Sequence, residues 1–225
     1  MHVSGFFDAM PAGPEREPAP YVPPAWHQPP PDELPGRVAL DAVLHRDDAT
    51  VLWLRDLSVY DTGIAVALRW TRRRRDESAD DWNRLIHGEL WHGSSPREHG
   101  LLVGFELADG RRVFPADPSA WFGPDSRDPE PPTLSMLGGG GGGGEDRYSG
   151  DIDTWLWSPG GVRGDLELVL VWRALGIDEL RYRVDGGLIA GASRPRLLWA
   201  DAGGADDEVP DASYPPDGDD TAASA

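Results

Sequence analysis

Five side chains able to bind a metal or carry a proton crowd into 85-LIHGELWHGSSPREHG-100: His87, Glu89, His92, Glu98 and His99. Imidazole and carboxylate groups are zinc ligands, which makes His87, His92 and His99 the candidate metal residues. Their spacing fits no helical metal motif. Residues five apart do not share a helix face, and Gly88, Gly93 and Pro96 break a helix through them. The ligands would have to converge from a loop. Ser94 and Ser95, near His92 and His99, raise a hydrolase with a serine nucleophile. No G-x-S-x-G elbow surrounds them, and triad geometry is built in space rather than along the chain. The chain has no Cys, which removes thiol nucleophiles, thiolate metal sites and disulfides. The expectation is a solvated loop with histidines at its strand ends, and no catalytic residue, metal or cofactor.

A second constellation lies in 151-DIDTWLW-157. On a strand, Asp151, Asp153, Trp155 and Trp157 share one face. Indole rings stack on the C–H faces of sugars while carboxylates take hydroxyls, so these four residues are a candidate carbohydrate-binding surface. The competing expectation is that both tryptophans point into the core, as large aromatics in such folds do. Just before them run seven glycines, 138–144. A phosphate loop needs a Lys and a following helix. This chain has no Lys, and Glu145 and Asp146 follow the run. The expectation is a slack, flexible loop over 138–150, whose seven glycines span about 14 Å as a random linker.

The elements around these residues read as strands. Val38, Leu40, Ala42 and Leu44 alternate, and 50-TVLWLRDLSVY-60 is apolar on both faces. Ile64, Val66, Leu68 and Trp70 point one way, with Ala65, Ala67, Arg69 and Thr71 the other. "DTG" between these two segments is a hairpin signal. Leu101, Val103, Phe105 and Leu107 alternate, as do Leu166, Leu168, Leu170 and Trp172, then Leu180, Tyr182 and Val184. "LIAGASRPRLLW" reads as the closing segment, "ALGIDEL" as one helical turn, and 72–84 as a solvated loop or strand extension. Short strands separated by turn signals predict an all-β fold: a single antiparallel β-sandwich, immunoglobulin-like, with a partly closed barrel as the alternative.

Pro and Gly make 50 of the 225 residues, about twice the usual share. Ten prolines lie before residue 37, predicting an extended, polyproline-like arm, disordered over 1–21, with Trp26 able to fold back and pack. The domain is expected over 22–200. From Asp201 to Ala225 there are eight acidic residues and no basic one, which predicts a disordered acidic tail. That tail is a candidate mask for the arginines at 72–75. Formal net charge is −18. Such a chain repels nucleic acid and anionic membranes. Four consecutive arginines, 72–75, are countered at once by Asp76, Glu77, Asp80 and Asp81. The start lacks the basic and apolar regions of a signal peptide, and no run approaches a membrane span. A cytoplasmic location is expected.

The segments "PPAWHQPPPDELPG", "VLWLRDLSVYDTGIAVALRW", "GLLVGFELADGRRV", "DTWLWSPGG" and "LELVLVWRALGIDELRYRVDG" together resemble a group of uncharacterised actinobacterial all-β proteins with no assigned activity. The likeness rests on a W-x-x-P-P arm, a Y-x-T-G hairpin and a W-x-W-P segment before a W-x-A-x-G-I strand. It covers residues 22 to about 199. Ser158 departs from the pattern, and 72–92 match poorly. The resemblance implies one domain and no particular chemistry. The function expected is therefore a non-catalytic module that binds another protein. The alternatives are a carbohydrate-binding sandwich using Trp155 and Trp157, and a hydrolase using the 87–99 histidines.

Overall fold

The computed structural model describes residues 22–89, 100–115 and 128–199. The expected disordered segments 1–21 and 201–225 lie outside the described residues, as do His92 and His99. In chain order the strands are β1 (Glu33–Leu34), β2 (Gly36–Arg46), β3 (Thr50–Tyr60), β4 (Gly63–Arg73), β5 (Leu101–Leu107) and β6 (Arg112–Val113). Then come β7 (Thr133–Gly143), β8 (Arg147–Trp157), β9 (Leu166–Trp172), β10 (Ile177–Val184) and β11 (Arg196–Leu197). Helix α1 spans Ala79–Arg84 and α2 spans Gly186–Ala190.

The strands form antiparallel sheets. One has the order β2-β3-β4-β8-β7, a second β10-β9-β5-β6, and β1 pairs with β11 in a small ribbon. The expected alternation places the core. From β4, Ile64, Val66, Leu68 and Trp70 are buried; from β9, Leu166, Leu168, Leu170 and Trp172 are buried. These residues belong to one cluster with Leu52, Leu54 and Leu57 of β3 and Val103 and Phe105 of β5. Near one end of that cluster, Trp70 meets Trp172 edge-on at 5.2 Å and stacks on Tyr148 at 5.7 Å. Such pairs contribute beyond the area they bury.

Residues 72–84 begin as the expected strand extension and then depart from the expected loop. Arg72 and Arg73 continue β4, and α1 follows. Ser78 caps α1 by accepting from the Asp81 N–H, with Asp80 and Asp81 in the first turn. Trp82 is buried, and its indole N–H donates to the Gly144 carbonyl at 3.1 Å. The helix is too short to leave a 3.6-residue period in the sequence. The four arginines are not a free cationic patch. Arg72 Nη2 lies 2.6 Å from Glu77 Oε1, the Arg75 main-chain N–H donates to Glu77 Oε2 at 2.7 Å, and Arg74 Nε donates to the Glu77 carbonyl at 2.9 Å. Arg73 Nε donates to the Asp48 carbonyl. A mask over this segment would find two guanidinium donors of Arg72 and one each of Arg73 and Arg74 already engaged.

"LIAGASRPRLLW" also differs from a closing strand. Asp185 caps α2 through the Gly187 N–H, and only Arg196–Leu197 is extended. Among the described residues, no helix is long and apolar enough to cross a membrane.

Glu77 organises the turn that leads into α1. Burial pushes its carboxyl up, but the Arg75 N–H and the Arg72 guanidinium outweigh that and hold the pKa lowered. A lowered folded pKa means stabilisation above the ordinary glutamate value and its loss as pH falls through the folded value. We expect Glu77→Ala to destabilise the domain by about 1–3 kcal/mol at neutral pH in urea denaturation. The gap to wild type should close as the pH drops below 4.5.

Candidate functional site

The glycine run is not a slack loop. Gly138–Gly143 continue β7 and pair in register with β8: Gly138 opposite Asp153, Gly140 opposite Asp151 and Gly142 opposite Ser149. The expected flexible segment 138–150 is thus a hairpin, closed between Gly144 and Arg147. A bulge separates the glycines from Met136, and Gly138 takes φ +128°, a conformation that favours glycine. At Gly143 a Cβ would collide with the Arg147 carbonyl. These two glycines serve the fold.

Gly140 and Gly142 do not. Among the described residues a Cβ on Gly142 would meet nothing within 4 Å, and one on Gly140 would touch only Asp151 Oδ1 at 3.8 Å. Their backbone is ordinary, so the sandwich has room for side chains there. Glycine inside a strand is less stable than alanine by about 0.5–1 kcal/mol. Among the described residues no close contact requires glycine at these two positions. β7 is also the last strand of its sheet. Among the described residues its outer edge is met only by an isolated bridge from Pro115 to Leu134, short of the glycines.

Asp151 and Asp153 lie on the face of the sheet turned away from the core. Register brings Arg69 of β4 opposite Asp151, Trp53 of β3 opposite Arg69, and Val43 of β2 opposite Trp53. Arg69 Nη1 is 3.2 Å from Asp151 Oδ2 and 3.7 Å from Asp153 Oδ1. Asp153 Oδ1 is buried and makes no hydrogen bond among the described residues. Burial pushes the Asp153 carboxyl up; Arg69 offsets this only in part, while Asp151 adds to it. Further across, Asp56 binds Arg37 Nη1 at 2.8 Å and also Arg55. Within ion-pair distance the acids beside the glycine edge share the Arg69 guanidinium alone, with Arg55 acting on them from further off, whereas Asp56 on β3 has two.

Trp155 and Trp157 do not form an open platform. Trp155 is 0% exposed. It is buried on the outer face, not between the sheets, because the arm covers it. Its indole N–H donates to the Ala25 carbonyl at 2.8 Å, and Tyr60 meets its ring edge-on. Trp26 is buried alongside, its N–H on Asp128 Oδ1 at 3.1 Å and its carbonyl accepting from Ser135 Oγ at 2.8 Å. Trp157, half-buried, lies opposite Gly63 and Thr133 at the end of β8.

His87 is exposed, its ring edge-on to Tyr148, and it borders a cleft of about 360 Å³ with Arg74, Trp82, Ile86, Gly143 and Glu145. The cleft opens where the glycine strand ends. His92 and His99 lie outside the described residues, and among those described no three or more His, Asp or Glu gather in a group that could hold a metal ion. Arg69 was readable in sequence as outward-facing, but its place and that of Trp53 in the row with Asp151 were not, because register across strands, not local spacing, sets them. No protein-family profile, curated protein or solved structure matches the chain.

The two kinds of glycine separate in a stability test. Gly140→Ala and Gly142→Ala should each leave the domain unchanged or stabilise it by up to about 1 kcal/mol. Gly143→Ala should destabilise it by about 1–3 kcal/mol, as overpacking does. Urea midpoints of the three variants check both expectations.

Proposed function

We propose that this chain is a non-catalytic β-sandwich module that takes up an extended segment of another protein as an added strand beside Gly138–Gly143. The observation that carries this reading is glycine at 140 and 142, positions where the fold admits side chains, on a strand edge left unpaired among the described residues. Glycine within a strand marks places where another backbone approaches closely. Natural sheets blunt open edges with Lys, Pro or charge. Residues 138–143 carry none of these, only the bulge before them. Strand addition draws its affinity from main-chain hydrogen bonds, which a side-chain-free edge offers without obstruction.

The sandwich is immunoglobulin-like in this reading. The order β3-β4-β8-β7 facing β10-β9-β5-β6 supports it, because it follows A-B-E-D against G-F-C, with β2 and β6 added outside. Antibody domains join the equivalents of β4 and β9 by a disulfide; here Trp70 and Trp172 make that contact. The likeness to the actinobacterial group and a cytoplasmic location belong to the same proposal. A net charge of −18 supports protein, not nucleic acid or anionic membrane, as the partner. The carbohydrate reading loses its platform with Trp155 covered by the arm.

A pull-down from the native host with wild type and with Gly140→Lys/Gly142→Lys tests the proposal. Lysines on an edge discourage strand pairing. Partners held by wild type should be lost from the double variant, whose melting temperature should stay within a few degrees of wild type. Identical partners on both would overturn the reading.

A further inference from the structure

We propose that the segment taken up is cationic, with Arg or Lys at alternate positions lying across the shelf left by Gly138, Gly140 and Gly142 and reaching Asp153 and Asp151. This rests on the strand-addition reading and names the partner's chemistry. Neighbouring strands lie about 4.8 Å apart, so an added strand stands two strand spacings, about 10 Å, from β8. Side chains on an intervening strand would normally fill that gap. Here glycines leave it open, and a long cationic stem can lie flat over them. Asp151 already leans that way: its Oδ1 is 3.8 Å from where a Cβ on Gly140 would sit.

The charge balance gives the direction. Asp151 and Asp153 share Arg69, and Asp153 Oδ1 accepts no hydrogen bond among the described residues. Arg55 acts on the pair only from further off, and a cation arriving from the edge would be a second one at ion-pair distance. The period also fits. Asp151 and Asp153 stand two residues apart on β8, opposite Gly140 and Gly138, so alternate residues of an added strand would face them. Other occupants fit worse on charge. A second copy brings another net charge of −18 and its own Asp151 and Asp153 to the same edge. Of this chain's own termini, 1–21 carry one arginine against three acids, and 201–225 carry no base.

The test is a fluorescence titration of the full chain with three nine-residue peptides in which threonine alternates with arginine, glutamine or glutamate. The arginine peptide should bind about tenfold tighter than the glutamine peptide, the glutamate peptide weakest, and the preference should shrink as salt is raised. Asp151→Asn/Asp153→Asn should bring the arginine and glutamine peptides to within about twofold of each other. Arg69→Gln should tighten the arginine peptide, since it removes the internal competitor. Gly140→Lys/Gly142→Lys should abolish binding of all three. Equal binding of arginine and glutamine peptides, still lost on the lysine substitutions, would overturn the cationic partner and leave strand addition standing. Arginine-peptide binding that survives the lysine substitutions would overturn both. Failure of every peptide, with a dimer in sedimentation that the lysine substitutions dissociate, would replace the partner by a second copy.

Discussion

A strand built of glycine has only its main chain with which to hold or be held, and the account of this protein depends on that constraint. β8 lies between β4 and β7. Toward β4 it is secured by packing as well as by hydrogen bonds, since Ile152 and Leu156 are buried with Leu68 and Ile64 in the core. Toward the glycines of β7 it has the ladder alone. The hairpin is anchored at its two ends instead. Leu134 is buried at the start of β7, and the Trp82 indole binds the Gly144 carbonyl past its end. Between those anchors lies a stretch of sheet edge that is unpaired among the described residues.

The rest of the molecule keeps that stretch in place. At one end Trp70, Trp172, Tyr148 and Trp82 are buried together in the core. On the outer face the arm seals Trp155 with Trp26 and fixes Ser135 of β7 by a hydrogen bond to the Trp26 carbonyl. Buried aromatics thus brace β7 near both ends without disulfides. The outer face that remains open is polarised, with Asp151 and Asp153 beside the glycines and Arg37 and Arg55 gathered on Asp56 toward the opposite edge. A sheet face balanced strand by strand would have no such direction.

The layers were legible in the sequence where side chains alternate. Residues 64–70 and 166–172 show inward and outward faces directly, and the structure buries the expected set. The glycine strand was not legible, because an alternation signal needs side chains and glycine has none. The nearest clue was Thr133–Met136, whose polar–apolar alternation runs into the glycines. Helix α1 escaped notice for its brevity, although Ser78 and Asp81 carry a capping signal. The acidic pair of the site was readable as one strand face. What covers Trp155 was not, since Ala25 is 130 residues away along the chain. The place of Arg69 beside Asp151 was equally hidden, because cross-strand register supplies it.

Amide hydrogen exchange of Gly138–Gly143, followed by NMR in the free full-length chain, tests the central claim most directly. A glycine strand bonded on one side and open on the other should show alternating protection: amides facing β8 slow, those facing outward fast. Uniformly fast exchange across the six glycines would contradict the account, since it would mean that the run forms no ladder and offers a partner no edge.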